Sequence, residues 1–388
     1  MIRRRITVTR VILAIILLGG LVITVRRFAL GLGAVTNLSD STPWGLWVGF
    51  DVISGVALAS GGFTMAFLAH ISGDHQLRPL ARPAILTALI GYLLVVMSLI
   101  YDLGLPWHML NVVLNPNIHS VMFEVAWCVM LYTMVLFLEF LPSVFERFRA
   151  ERWRRWLHAA AVPLYVLGIV LSTLHQSSLG SLYLIAPGKL HPLWYTEMLP
   201  LMFFLSALVI GMAMVMVEAS LSARFLQHRL PMDALARLGQ YLLFVVLLYV
   251  AFRVQDLTYR GVWDRVLDGS YESTFFVVEN LLFLIALPIL LHPGWRRRPA
   301  TLISAGYLLV IAVVMHRLDV TFVGMRRATG AAYVPTLEEF WISLFLVTCG
   351  ALVFGLAART LPVFERGDGH AHDDAHADAG GAGRHRLA

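Results

Sequence analysis

SVMFEVAWCVMLYTMVLF, residues 120–137, is an apolar run interrupted by a single carboxylate, Glu124. As a helix it would be about 27 Å long, close to the hydrocarbon thickness of a bilayer. The rest of the chain repeats the theme. Hydrophobic residues make up 59% of the 388 and charged residues only 14%, which places the chain outside the range of soluble domains. About ten segments are long and apolar enough to span, near 10–30, 44–70, 83–103, 118–141, 156–180, 193–218, 235–256, 271–292, 300–322 and 337–359. The expected fold is all-α: a polytopic transmembrane helical bundle.

With the N-terminus inside, 21 of the 30 lysines and arginines fall in inner segments and 9 in outer ones, so both termini are expected in the cytoplasm. The densest inner run, Arg147, Arg149, Arg152, Arg154 and Arg155, reads as positive-inside anchoring rather than nucleic-acid contact. Arg3, Arg4 and Arg5 before an apolar stretch resemble a secretory signal. Arg26 and Arg27 follow without a clear cleavage site, however, so an uncleaved anchor is expected. The transmembrane domain is placed at 1–365. The remaining 366–388, rich in His, Asp and Gly, is expected to be a disordered cytoplasmic tail.

Cys128 and Cys349 are the only cysteines, and each lies in an apolar segment. No CxxC pair or four-cysteine set exists for an iron–sulfur or nickel centre, so any such centre must belong to another chain. Nucleotide-binding loops and a GxSxG elbow are also missing from the sequence.

Ionisable residues cluster towards one side. Asp51, Asp102, His119, Glu124, His175, Glu197, Arg253, His316 and Arg317 fall in the outer third of their segments or at the outer ends. Tyr92 and Glu279 sit near mid-depth, while Glu139 and Glu218 are expected to reach the inner interface. Glu197, Asp102 and Arg253 lie close enough to helix ends to snorkel. Glu124 is expected about two turns inside its span, where a lone carboxylate costs several kcal/mol unless it is protonated or paired. That leaves proton transfer or ligand contact on one hand and an ion pair with Arg253 or Arg317 on the other. The stretch LHQSSLGSL, 174–182, sets His175, Gln176, Ser177 and Ser178 together at the end of an apolar helix, more polar groups than one satisfied histidine needs. Trp44, Trp47, Trp107 and Trp194 read as an aromatic belt, and Trp44 is also placed to wall a site.

The segments TPWGLWVGFD (42–51), SVMFEVAWCVMLY (120–132), LHQSSLGSL (174–182), KLHPLWYTEMLPL (189–201) and YVPTLEEFWIS (333–343) resemble the integral membrane subunit of hydrogenase-2-type uptake hydrogenases. That subunit lies within the wider NrfD/polysulfide reductase membrane-subunit family. The resemblance implies two four-helix bundles with flanking helices and a location in a bacterial inner membrane. It also implies a quinone site near the outer face, covered by an extracytoplasmic iron–sulfur subunit that is joined to hydrogenase catalytic subunits. Carried over by position, the quinone-site histidine falls on His175, the buried proton-transfer acid on Glu124 and an associated tyrosine on Tyr92.

These expectations combine into one mechanism. Electrons arrive from an iron–sulfur partner, and a quinone, menaquinone or ubiquinone, accepts them. His175 hydrogen-bonds a quinone carbonyl, with Gln176, Ser177, Asp51 and Trp44 shaping the head-group pocket. Glu124 relays protons as general acid, and Tyr92 and Glu279 supply it from the cytoplasm. No hydrogenase metal site, haem or iron–sulfur cluster is expected on this chain. Another NrfD-type oxidoreductase, with polysulfide or molybdopterin chemistry, is the alternative within the family. Outside it stand a haem b cytochrome using His175 with His119 or His316, and a proton-coupled transporter.

Overall fold

A computed structural model describes residues 2–40, 42, 44–185, 188–329 and 333–364. The tail expected over 366–388 lies outside the described residues. Ten helices are long and apolar enough to cross a membrane: α1 (Val8–Leu30), α2 (Trp47–Ile71), α3 (His75–Asp102), α4 (Val121–Arg147), α5 (Ala161–Leu182), α6 (Leu199–Leu226), α7 (Met232–Arg260), α8 (Tyr271–Leu291), α9 (Pro299–Val323) and α10 (Leu337–Thr360). No strand occurs among the described residues. The chain is a multi-pass helical membrane protein, and the segments expected from hydropathy coincide with these helices apart from their ends. α6 starts at Leu199 rather than near 193, with Pro200 in its first turn, where a missing N–H costs nothing. The segment expected from 156 is divided into a short amphipathic helix, Glu151–Ala159, and α5.

The even-numbered helices all begin at one end of the molecule, termed the upper end. Local sequence defines that rim. Ser120 and Ser270 accept the amides of Phe123 (3.4 Å) and Ser273 (3.1 Å), capping α4 and α8. Thr336 and Glu339 form a reciprocal capping box on α10. Gly261, at φ +63°, closes α7.

α2 to α5 make one four-helix bundle and α6 to α9 a second, while α1 and α10 pair with each other, α10 lying against α3. α2 is the hub, touching α3, α6 and α9. In its most apolar stretch 83% of residues are buried, against 6% in α1, whose sides are left for lipid. The hub is locked to the second bundle at a backbone crossing. Ser60 Oγ donates to the carbonyls of Ala57 (2.6 Å) and Ala207 (2.5 Å), and a Cβ on Gly211 would stand 2.4 Å from that oxygen. α2 is also wound loosely, with π-helical turns at Trp47–Ser54 and Phe67–Ile71. At the break between them the Ser60 amide bonds the Ala57 carbonyl (3.1 Å), and the Val56 carbonyl receives a side chain from α5.

Candidate functional site

That side chain is Gln176, whose Nε2 donates to the Val56 carbonyl at 3.1 Å and lies 3.4 Å from His175 Nε2. His175 and Gln176 are fully buried. Tyr92, from α3, places its hydroxyl 3.4 Å from both His175 ring nitrogens. Its ring stands edge-on to His175 (5.6 Å) and to Tyr132 of α4 (4.8 Å). Three helices thus bring an imidazole, an amide and two phenols together inside the first bundle. Gln176 Oε1 and the hydroxyls of Ser172 and Tyr132 are buried there without a hydrogen-bond partner in the chain.

The helical turn beyond His175 leads outward. Ser178 Oγ donates to Glu124 Oε1 at 2.7 Å, linking α5 to α4. Glu124 lies in the first turn of α4, shallower than the two turns expected, because the helix begins at Val121 rather than near 118. It is exposed near the upper end of α4, not enclosed, and it pairs with neither Arg253 nor Arg317. Ser178, not Ser177, makes this link. The Ser177 hydroxyl turns back to the Thr173 carbonyl (3.0 Å), so its expected place in the pocket is not where the structure puts it.

Asp51 and Trp44 lie close in sequence but face other partners. Ser343 of α10 donates to Asp51 Oδ2 at 2.6 Å. Trp44 packs edge-on against Tyr183 at 5.2 Å, and the Tyr183 hydroxyl pairs with Thr321 at 2.6 Å. Trp47 and Trp194, expected in an aromatic belt, are core residues instead. Their indole N–H groups are satisfied internally by the Glu339 carbonyl (3.1 Å) and by Glu279 (3.3 Å). Trp107 is exposed, as a belt residue would be.

Glu279, expected near mid-depth on one path with Tyr92, stands apart from it. It belongs to the second bundle, about 12 Å below the start of α8 by helical rise. Arg253 Nη2 donates to it at 2.6 Å, His316 Nδ1 lies 3.3 Å away, and all three side chains are buried. Arg317, next to His316, donates to the Phe203 carbonyl (2.7 Å) and Ser206 (3.0 Å) and lies over the Phe203 ring. His119 is exposed in the loop before α4.

The same bundle ties down the upper loop before α6. Asp256 accepts from Thr196 (2.5 Å) and Arg260 (2.6 Å), and Arg260 also reaches the Pro192 carbonyl. His191 in that loop is held below its ordinary pKa, chiefly by burial. At the same upper end, in the loop before α10, the Tyr333 phenol is pushed upward by burial and by the Glu339 carboxylate to which it donates.

Of the two carboxylates expected at the lower interface, Glu139 is half-buried and Glu218 is enclosed. Glu218 is buried, accepts from Ser222 (2.6 Å) and lines a cleft with Thr87, Gly61 and Gly211. One oxygen of Glu139 is buried without a partner. Tyr132 and Ser172 escaped the sequence reading for a simple reason: single hydroxyls in apolar helices carry no signal until their neighbours are known. Among the described residues no three His, Cys, Asp or Glu side chains gather as a metal site would require.

The polysulphide reductase, NrfD, family model matches residues 34–327. A protein of Nitratidesulfovibrio vulgaris is 39% identical over 94% of this chain and 96% of its own length. The probable Ni/Fe-hydrogenase 2 b-type cytochrome subunit of Escherichia coli is 32% identical, covering 88% of this chain and 89% of the relative. The integral membrane subunit of menaquinone reductase from N. vulgaris is 28% identical over 89% of this chain and 88% of that protein.

Proposed function

The chain belongs to the NrfD polysulphide reductase family, and on that premise we propose that it is the quinone-reactive membrane subunit of a respiratory oxidoreductase complex, of hydrogenase type. The observation that carries this reading is the continuity between the buried His175–Tyr92 pair and the Ser178–Glu124 hydrogen bond, which ends at the exposed Glu124. A quinone entering from the bilayer meets Glu124 first and His175 one helical turn further in.

The residues fit such a head group. A ring N–H of His175 suits a quinone carbonyl, and the partnerless Gln176 Oε1 suits the hydroxyl of the reduced form. A bound quinone supplies the two-electron, two-proton acceptor. The side chains supply the rest. His175 orients the head group, Glu124 holds and hands over a proton at the lipid-facing mouth, and Ser178 keeps that carboxyl aimed at α5. Asp51 and Trp44 brace the surrounding walls of α2 through Ser343 and Tyr183. Electrons come from an extracytoplasmic iron–sulfur partner seated on the upper end, and hydrogen is split on that partner's catalytic subunit. The excess of arginine at the lower end orients the chain with the upper end outside and both termini in the cytoplasm of a bacterial inner membrane.

Purification of the complex through this chain tests the reading. A nickel–iron pair and an iron–sulfur subunit should co-purify, and hydrogen should reduce an added quinone. A molybdopterin partner would move the chain to another branch of the family. Dye reduction by the partner without any quinone reduction would contradict the proposal.

A further inference from the structure

We infer that the turn and short helix joining α4 to α5 bind the headgroup of an anionic phospholipid, in the leaflet at the lower end of the molecule. α4 ends at Arg147 and α5 begins at Ala161, and both are membrane spans, so the residues between them lie at the lower boundary of the bilayer. Leu157 is the one buried side chain of the short helix, Glu151–Ala159. The lipid site stands apart from the quinone reading and does not depend on it.

At about 100° per residue, Trp153, Trp156 and Leu157 share one face of this helix, while Glu151, Arg155 and His158 take the opposite one. Leu157 is 3% exposed, but Trp153 and Trp156 are 61% and 64% exposed, and Phe148, just before the helix, is 75% exposed. The bundle therefore covers only part of the apolar face. Aromatic rings left uncovered at this level sit where acyl chains meet headgroups, so the helix lies in the plane of the interface with its guanidinium groups level with the phosphates.

The basic groups here exceed what the chain neutralises. Glu146 pairs with Arg82 (3.1 Å) and Glu151 with Arg154 (2.9 Å), so both nearby carboxylates are taken. Arg147 donates to the Thr360 carbonyl at 3.0 Å. That leaves Arg149, Arg152 and Arg155, like charges crowded into one short stretch, without a carboxylate partner among the described residues. A phosphate fits them, because guanidinium donors match its oxygens in pairs and lipid supplies it at this depth.

Arg149 marks the site in a second way. The Ala150 amide bonds the Phe145 carbonyl (2.9 Å) and the Arg149 amide the Glu146 carbonyl (3.3 Å), the turn that ends a helix on a left-handed residue. Glycine usually fills that position because a Cβ is strained there, as Gly261 does at the end of α7, yet Arg149 holds it at φ +55°. A long charged side chain kept at a strained corner, next to the exposed Phe148, serves something other than the turn. A lipid phosphate held from the corner by Arg149 and from the helix by Arg152 and Arg155, with acyl chains along Phe148, Trp153 and Trp156, accounts for both the strain and the unpaired charge.

The test uses the purified complex, delipidated in a neutral maltoside detergent, with its melting temperature followed as lipid is added. Dioleoyl phosphatidylglycerol should raise that temperature by several degrees and saturate. Dioleoyl phosphatidylcholine, with the same chains, should not, and neither should inorganic phosphate. Arg149→Gly keeps the turn, so without lipid it should melt no lower than wild type. Half-maximal stabilisation should nevertheless need roughly fivefold more phosphatidylglycerol in Arg149→Gly, and roughly twenty-five-fold more in the double variant Arg152→Gln/Arg155→Gln, the weight of one and of two basic side chains at an anionic surface. Equal shifts with both lipids, the same shift with inorganic phosphate alone, or an Arg149→Gly titration that overlays the wild-type curve would overturn the site. So would Arg149→Gly melting below wild type before any lipid is added, which would make the arginine a part of the turn.

Discussion

The chemistry assigned to single residues differs in kind between Glu124 and His175, and their substitutions should separate accordingly. Glu124→Gln keeps the shape and the acceptor for Ser178 but removes a transferable proton. Quinone turnover should fall by at least two orders of magnitude while the partner's dye-linked activity and quinone affinity are preserved, the magnitude typical of a lost general acid. His175→Ala removes a directed hydrogen bond in a buried site, which costs about 1–3 kcal/mol. The apparent quinone affinity should weaken roughly ten- to hundredfold, readable as a rise in KM in the assembled complex. An unchanged KM would make His175 a core histidine held by Tyr92. The sequence made both residues visible because polar groups in apolar helices stand out. It misjudged Glu124's depth, because three residues at a helix start decide between enclosure and exposure, and only the Ser120 cap shows where α4 begins.

Between elements, the two bundles are held by unlike forces. The α2–α6 crossing depends on backbone proximity at Gly211, where even a methyl group meets Ser60 Oγ and the Gly61 amide. Gly211→Val should force the helices apart and lower the melting temperature of the detergent-purified complex by several degrees; a wild-type melting curve would show that the crossing tolerates separation. In the second bundle Glu279 is the counter-ion of Arg253 and a partner of His316. Glu279→Gln leaves a buried guanidinium uncompensated, a loss of about 3–5 kcal/mol. The expected outcome is reduced accumulation and thermal stability of the whole complex, and surviving molecules should keep normal proton uptake. Selective loss of proton uptake in a fully stable complex would return Glu279 to the proton path. Its expected place on one path with Tyr92 came from depth along the helix alone. Depth is readable from sequence, but the bundle to which a helix belongs is set by side-to-side packing, which hydropathy does not encode. The ten spans were legible for the opposite reason, since each apolar run reports its own burial in lipid without reference to neighbours.

In the molecule as a whole, the proposed chemistry lies in the first bundle, the second anchors the upper loop, and the arginines of the lower end set the proposed orientation. If protons rise from the lower side while electrons enter from the upper, each turnover moves charge through the membrane, worth about 2.3 kcal/mol per charge per 100 mV. Quinone reduction in tight vesicles should therefore build a potential, and dissipating it with an ionophore should raise the rate; Tyr92→Phe should depress rate and potential together. Turnover indifferent to the ionophore, with no potential, would place proton entry at the upper side. The proposed function depends on where the quinone sits. The most direct measurement is photolabelling of the purified complex with a light-activated quinone analogue, followed by peptide mapping. Label is expected on α4 and α5 around Glu124 and His175–Ser178, displaced by excess quinone and lost in His175→Ala. Displaceable label confined to the second bundle around Glu279 and His316, with α4 and α5 unlabelled, would contradict it.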